Sequence, residues 1–168
     1  VVAVARALEG RAEIRVDLNQ RWTRSQAVDG IARLQEAGVA LIEQPLAKDD
    51  IEGMKLLTRR FDCSIMADES LVGPSSAWQI AKNDAADAFA IKISQSGGLT
   101  PARAVAVIAD AAHIALYGGT MLESGVGTAA SAQLFSTFPR IEWGTELFGP
   151  LLLADDFLAE PLCYSNFM

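Results

Sequence analysis

The stretch Val39-Ala40-Leu41-Ile42-Glu43-Gln44-Pro45 decides the fold that the sequence predicts. Four apolar residues in a row suit a strand that is buried on both faces of a parallel sheet. Pro45 cannot donate a hydrogen bond to a neighbouring strand, so the strand is expected to end just before it. Glu43 therefore lies at the carboxyl end of a buried strand, where α/β proteins gather ligands and catalytic groups.

The same pattern, an apolar run that ends on a charged residue, recurs along the chain. Asp17, Glu43, Asp68 and Lys92 follow one another at intervals of 26, 25 and 24 residues. Each interval fits one strand, one helix and two short loops. A nearly constant period of this size indicates a repeated βα unit, in which equivalent residues share one rim of the sheet.

The predicted elements alternate, with a helix after every strand but the last. Strands are expected near residues 12–17, 39–43, 63–68, 88–92, 114–117 and 141–147, and helices near 1–9, 23–37, 50–60, 75–82, 100–112 and 124–138. Right-handed crossovers then give a parallel sheet with the helices outside it. At 168 residues the chain is short for a closed eight-stranded βα barrel, which needs about 250 residues.

Two helix starts have recognisable caps in the sequence. Thr23 with Gln26 three residues later has the spacing of a capping box. Thr100 followed by Pro101 is typical of an N-cap with proline in the first helical position. Both patterns predict where a helix begins.

Composition excludes several classes of partner. The net charge of −7 disfavours nucleic acid and anionic membrane surfaces. No stretch approaches the roughly 20 apolar residues of a membrane span. Cys63 and Cys163 are far apart and lack metal-site spacing, which is typical of reduced thiols in a cytosolic protein. We therefore expect a folded cytoplasmic protein that binds a small molecule.

Three acidic residues occupy the same phase of the βα repeat. Asp17, Glu43 and Asp68 would bring three carboxylates together, which is costly without a counter-charge. Mg²⁺ takes oxygen ligands, and Mn²⁺ fits the same donor set. The alternative is that each acid only decorates a strand end or caps the next helix. Three acids in phase favour a metal site over that alternative.

Lys92 and Glu146 are the candidate catalytic residues. A partly desolvated lysine near a metal has a lowered pKa and can exchange protons near neutral pH. Glu146, at the end of the predicted last strand, could donate a proton or fix a substrate group. The alternatives are an ion pair of Lys92 with Asp68 or Glu69, and a structural salt bridge of Glu146.

Two further residues are weaker candidates for substrate binding. Asn19 lies two residues after Asp17, on the same side of an extended chain. An asparagine that only forms a turn is an equal alternative. Glu123 could face the mouth of the site or cap the helix that follows it, and we favour the cap.

Six motifs, in this order, resemble those of the enolase superfamily, and most closely its muconate and chloromuconate cycloisomerase group. They are Val-Asp-Leu-Asn-Gln (16–20), Ile-Glu-Gln-Pro (42–45), Ala-Asp-Glu-Ser (67–70), Ile-Lys-Ile-Ser (91–94), Tyr-Gly-Gly-Thr-Met-Leu-Glu (117–123) and Trp-Gly-Thr-Glu-Leu-Phe-Gly-Pro (143–150). The resemblance covers nearly the whole chain.

This resemblance implies a (β/α)7β barrel, of which the chain supplies roughly strands three to eight. Residues 1–150 would be the C-terminal part of the metal-binding barrel, and residues 151–168 a segment that returns toward a capping domain. Asp17, Glu43 and Asp68 would bind Mg²⁺ or Mn²⁺. Lys92 would be the lysine of the sixth barrel strand and Glu146 the acid of the eighth.

The activity that the resemblance implies is an isomerase reaction in aromatic-compound catabolism. It interconverts cis,cis-muconate, or a chloromuconate, and its lactone through an enolate that the metal stabilises. The partner is thus a small dicarboxylate, and relatives often form large homo-oligomers. Dipeptide epimerases and o-succinylbenzoate synthases have a similar metal-and-lysine layout and remain alternatives.

One departure from the family concerns its principal acid/base, a lysine in a Lys-x-Lys motif that precedes the first metal ligand. Here the first lysine of any kind is Lys48. We therefore interpret the sequence as a partial chain and expect the 168 residues alone to have little or no turnover. A non-catalytic metal-binding fragment is the alternative from another functional class.

Overall fold

The structure, a computed structural model, describes residues 1–164 and contains five parallel strands in the order of the sequence. The strands are β1 (Ile14–Asp17), β2 (Val39–Glu43), β3 (Ser64–Ala67), β4 (Ala88–Ile91) and β5 (Ala115–Gly118). The helices are α1 (Val2–Leu8), α2 (Arg24–Glu36), α3 (Ile51–Arg60), α4 (Pro74–Lys82), α5 (Ile93–Ser96), α6 (Leu99–Ala111), α7 (Gly125–Phe135) and α8 (Gly149–Leu152). The predicted α/β architecture is confirmed as half of a (β/α) barrel.

The curved sheet has two apolar layers. Ile42, Ile65 and Phe89 are fully buried in the large core between the strands and the helices. Leu41 and Met66 point to the opposite, concave face and are also buried. Alternate residues of each strand thus pack on opposite sides, which explains why the central strands are continuously apolar.

Strand register places the polar strand ends at one rim. Asp17 pairs with Glu43, and Glu43 pairs with Met66, two residues before Asp68. Ile91, the last residue of β4, pairs with Gly118 at the end of β5. The carboxyl ends of all five strands therefore meet on one side of the half-barrel.

One predicted helix start is confirmed and the other is wrong. The Gln26 amide N–H donates to Thr23 Oγ1 (3.3 Å) and the Thr23 N–H donates to Gln26 Oε1 (2.9 Å), which forms the capping box of α2. By contrast, α6 begins at Leu99 and not after Thr100, because Gly98 with a φ of +121° turns the chain into the helix earlier. The unpredicted single turn α5 precedes it.

The predicted sixth strand, residues 141–147, is wrong as a strand. Residues 141–144 form a turn in which the Gly144 N–H donates to the Ile141 carbonyl (3.2 Å), and Gly144 has a φ of +75°. Only Thr145 makes a β-bridge, to Gly118. The segment still runs beside β5, because the Glu146 N–H donates to the Gly118 carbonyl (2.8 Å).

The segment after residue 150 packs against the half-barrel. The Asp156 carboxylate accepts a hydrogen bond from the Gly125 N–H (2.6 Å), and Tyr164 Oη donates to the Leu147 carbonyl (2.7 Å). The last part of the predicted returning segment, residues 165–168, lies outside the described residues. Within residues 1–164, none of the helices combines the length and the apolar character that a bilayer crossing needs.

Candidate active site

An ion pair between Lys92 and Asp68 lies at the centre of the polar rim. Asp68 follows β3 and Lys92 follows β4, and Lys92 Nζ lies 2.5 Å from Asp68 Oδ2. The two side chains are only 11% and 8% exposed. A Cβ at position 119 would lie 2.8 Å from Lys92 Cε, so glycine at this position leaves room for the lysine. The fold therefore holds an ammonium group at the rim in a mostly buried setting.

The pKa of Lys92 reflects opposing influences. Burial lowers it, but the net shift is upward, opposite in sign to the lowering predicted from the sequence. The hydrogen bond to Asp68 and its charge, with the charges of Glu43 and Glu146, raise it by more, so the pKa of Lys92 lies above its ordinary value. The neighbouring carboxylates therefore keep Lys92 protonated. Glu43 and Glu146 lie close enough to Lys92 for their charges to contribute.

Glu43 is mostly buried beside other carboxylates, and its pKa is raised. Burial raises its pKa most, the charges of Asp68 and Asp17 raise it further, and a hydrogen bond with Asp68 adds to this, to give a pKa of about 8. At neutral pH the Glu43 carboxyl is therefore mostly protonated. A cation at this point would reverse the effect.

Asp17 is held by the predicted neighbour, Asn19. The Asn19 N–H donates to Asp17 Oδ1 (2.8 Å) and its Nδ2 donates to Asp17 Oδ2 (2.5 Å). Asn19 has a φ of +43°, so it also makes the turn after β1. Both ideas about Asn19, a turn residue and a site residue, fit this position.

The three candidate metal ligands have the oxygen atoms that a hard cation prefers. Their side chains are not, however, placed to share one ion in this structure. Among residues 1–164, no three His, Cys, Asp or Glu side chains are arranged to hold a metal ion. Asp68 turns to Lys92, and Asp17 to Asn19. The all-oxygen donor set and the uncompensated charge around Glu43 still suit Mg²⁺ or Mn²⁺. Binding one ion requires the three carboxylates to come closer together than they lie here.

Glu146 lies on the same concave face and is bound by a tyrosine. Tyr117 Oη donates a hydrogen bond to Glu146 Oε1. Burial, this bond and the charges of Glu146 and Glu43 raise the pKa of Tyr117 well above its ordinary value, so the phenol stays protonated. The Arg15 guanidinium lies over the rings of Tyr117 and Trp143, at 5.6 and 4.9 Å from their centroids.

Glu123 does not cap α7, so that expectation is wrong. Its carboxylate accepts hydrogen bonds from Thr120 Oγ1 and from the Met121 N–H, in the turn before it. Asp156 binds the first N–H of α7 instead. Among residues 1–164, Glu123 Oε1 is buried and has no hydrogen-bond partner.

Two glutamines at the rim were missed from the sequence. Gln44 is fully buried, and its Oε1 accepts from the N–H groups of Asp68 (3.0 Å) and Ser70 (3.1 Å). Gln95 Nε2 donates to the Asp68 carbonyl (2.6 Å). The position of Gln44, between a buried strand and Pro45, could have predicted a side chain that binds nearby backbone groups, because buried amides need hydrogen-bond partners. Gln95 stands where some relatives of the resembled group have a lysine, but its contact with Asp68 was not predicted, because α5 was not predicted.

A cavity of about 240 Å³ lies elsewhere, at the amino end of β5. Among the residues that line it are Arg140, Asp110 and Glu142. Arg140 lies 3.7 Å from Asp110 and 3.6 Å from Glu142, so the charges there pair with one another. None of the candidate catalytic or metal-binding residues contributes to it.

Comparison with known proteins identifies the family of the chain. A family model described as enolase C-terminal domain-like matches residues 1–168, the whole chain. The chain belongs to this family. The predicted resemblance is therefore confirmed, and the half-barrel is the fold expected of part of an enolase C-terminal domain.

Two relatives with high similarity to the chain are named as cycloisomerases. Muconate cycloisomerase 1-2 of Acinetobacter lwoffii is 59% identical over 168 residues, which are 100% of this chain and 44% of the relative. Chloromuconate cycloisomerase of Pseudomonas sp. strain P51 is 42% identical over 165 residues, 98% of this chain and 45% of the relative.

A solved structure shows the same similarity in three dimensions. Muconate lactonizing enzyme from Pseudomonas putida superposes with a TM-score of 0.96 at 46% identity, covering 99% of this chain and 47% of that one. The chain thus spans less than half the length of the relatives that it matches.

Proposed function

We propose that the protein containing this chain is a cycloisomerase that interconverts cis,cis-muconate, or a chloromuconate, and its lactone. The observation that carries the proposal is the contact of Lys92 with Asp68 beside Glu43, at the ends of three consecutive strands. The similarity to muconate and chloromuconate cycloisomerases supports the substrate class. The reaction is an isomerisation, so one carboxylate oxygen adds to a double bond and a proton is gained at the neighbouring carbon.

Asp17, Glu43 and Asp68 would hold the divalent cation. When bound, Mg²⁺ or Mn²⁺ supplies positive charge beside the substrate carboxylate on which negative charge develops. Metal binding would convert Glu43 to its ionised form, since the cation opposes the charges that raise its pKa. The three carboxylates therefore change from a repulsive group into a binding site.

Lys92 and Glu146 would act on the substrate from the concave face. Lys92 keeps its proton in this carboxylate-rich setting, so it presents an ammonium group that stabilises negative charge and can release a proton. Glu146, held by Tyr117, would fix or protonate a substrate group. Asn19 and Glu123 are weaker candidates for contacts with the substrate.

A substrate comparison with the full-length protein tests this proposal. The protein is loaded with Mn²⁺ and offered cis,cis-muconate, a chloromuconate and a dipeptide, with product identified by NMR. We expect lactone from at least one of the two muconates and no epimerisation of the dipeptide. Epimerised dipeptide without lactone would assign the protein to another reaction of the superfamily.

A further inference from the structure

Gln95 is tied to the loop that carries Asp68. Its Nε2 donates to the Asp68 carbonyl (2.6 Å) and the Leu71 carbonyl (3.1 Å), and lies 3.4 Å from Asp68 Oδ1. An amide nitrogen has two hydrogens, so the two backbone carbonyls take the shorter bonds and the carboxylate a weaker one. The Asp68 carbonyl also accepts from the Leu71 N–H (2.8 Å), so Gln95 is a second donor to it.

The same helical turn carries Gln95 and Lys92. Lys92 is the N-cap of α5, and the Ser96 N–H donates to the Lys92 carbonyl (2.9 Å). Lys92 binds the Asp68 carboxylate while Gln95 binds the Asp68 main chain. The end of β3 is thus linked twice to the turn after β4.

Gln44 holds the other backbone polar group of Asp68. Its Oε1 accepts from the Asp68 N–H (3.0 Å), and its Nε2 donates to Ser70 Oγ (2.8 Å). The N–H of Asp68 is therefore bound by one glutamine and its carbonyl by the other. Because the N–H and the carbonyl of Asp68 are both hydrogen-bonded, the position of its Cα is fixed, and so is the point from which the carboxylate extends toward Glu43 and Lys92.

We infer that Gln95 is a positioning residue that sets where the Asp68 carboxylate stands relative to Glu43 and Lys92. The inference rests on the proposed function, because Asp68 matters to the reaction as a proposed metal ligand. Partners that orient a ligand without touching the metal affect both metal affinity and turnover.

Two variants of the full-length protein test the inference. Gln95→Glu replaces the donor with an acceptor that faces three oxygens, and Gln95→Met removes the donor while keeping the length. Mn²⁺ affinity is measured by EPR titration, and kcat and KM by lactone formation. We expect Mn²⁺ to bind about 10- to 100-fold more weakly, and kcat to fall more than KM rises. Gln133→Glu, the same change at an exposed position of α7, is the matched control and should change neither.

The outcomes separate the inference from the proposed function. A lower Tm with unchanged Mn²⁺ affinity and kcat in Gln95→Met would mean that Gln95 only stabilises the fold, and would overturn the inference alone. If Gln95→Glu does not fold, Gln95→Met still decides. Failure of the parent protein to bind Mn²⁺ and to form lactone would overturn the proposed function and this inference together.

Discussion

Glu43 and Lys92 both have raised pKa values, for different main reasons. Burial raises the pKa of Glu43 most, and the charges of Asp68 and Asp17 raise it further, to about 8. For Lys92, the hydrogen bond to Asp68 and the nearby carboxylate charges outweigh the effect of burial, so both groups hold their protons. Two protonated side chains therefore lie close together at the ends of the strands. Each leads to a measurable consequence.

Replacing Lys92 should abolish most of the turnover of the full-length protein. Lys92→Met keeps the length of the side chain but removes the ammonium group, and a positioned proton donor contributes about 10²- to 10⁴-fold. We expect kcat for lactone formation to fall by that factor. Lys82→Met, at an exposed position near the end of α4, should retain normal kcat. Equal activity of the two variants would remove Lys92 from the mechanism.

The raised pKa of Glu43 predicts a pH dependence of stability in chelator-treated protein. Its pKa is about 8 in the fold against an ordinary 4.5, so between these values the folded state binds more protons than the unfolded state. Stability should therefore fall as pH rises through this window, by an amount of the order of a few kcal/mol.

Urea unfolding at several pH values measures this effect. Glu43→Gln should lose the decline and exceed the parent in stability at high pH, whereas the exposed Glu52→Gln should behave like the parent. A parent whose stability is constant across the window, or one that gains stability, would show that Glu43 ionises normally.

At the scale of the elements, the ends of the strands are held by side-chain hydrogen bonds as well as by the backbone hydrogen bonds of the sheet. Gln44 has a φ of +32°, which lets its side chain return to the next strand end. Gln44→Met would leave the buried N–H groups of Asp68 and Ser70 without acceptors. We expect a loss of about 2 to 5 kcal/mol in the free energy of unfolding, measured in urea. The exposed Gln79→Met should cost far less, and a similar loss for both would contradict the assignment.

The sequence predicted the elements whose pattern is local. β2 was recognisable because it is apolar and ends at Pro45, and α2 because Thr23 and Gln26 form a capping box. Residues 141–147 failed because their alternating pattern hides a turn at Gly144, whose φ of +75° ends any ladder. Helix α5 was missed because four residues are too few to show a period.

The candidate site was only partly predictable for a similar reason. The phase of the βα repeat was enough to bring Asp17, Glu43, Asp68 and Lys92 to one rim, because register follows from parallel pairing. The roles of Gln95 and Tyr117 were not predictable, since each depends on a contact between separate segments of chain. The sequence cannot show such a contact before the fold is known.

At the scale of the whole molecule, the chain holds only part of the proposed machinery. Its 168 residues contain no Lys-x-Lys motif, the motif that the predicted resemblance implies as the main acid/base. We therefore expect the chain expressed alone to form no lactone above background, even with Mn²⁺ present. Sustained turnover by the isolated chain would show that Lys92 and Glu146 suffice.

The most direct test of the account is a crystal structure of the full-length protein grown with Mn²⁺, examined by anomalous scattering. The account predicts one ion bound to oxygens of Asp17, Glu43 and Asp68, at the roughly 2.0–2.2 Å typical of small hard cations. An ion bound elsewhere, with Asp68 still paired to Lys92, would contradict it.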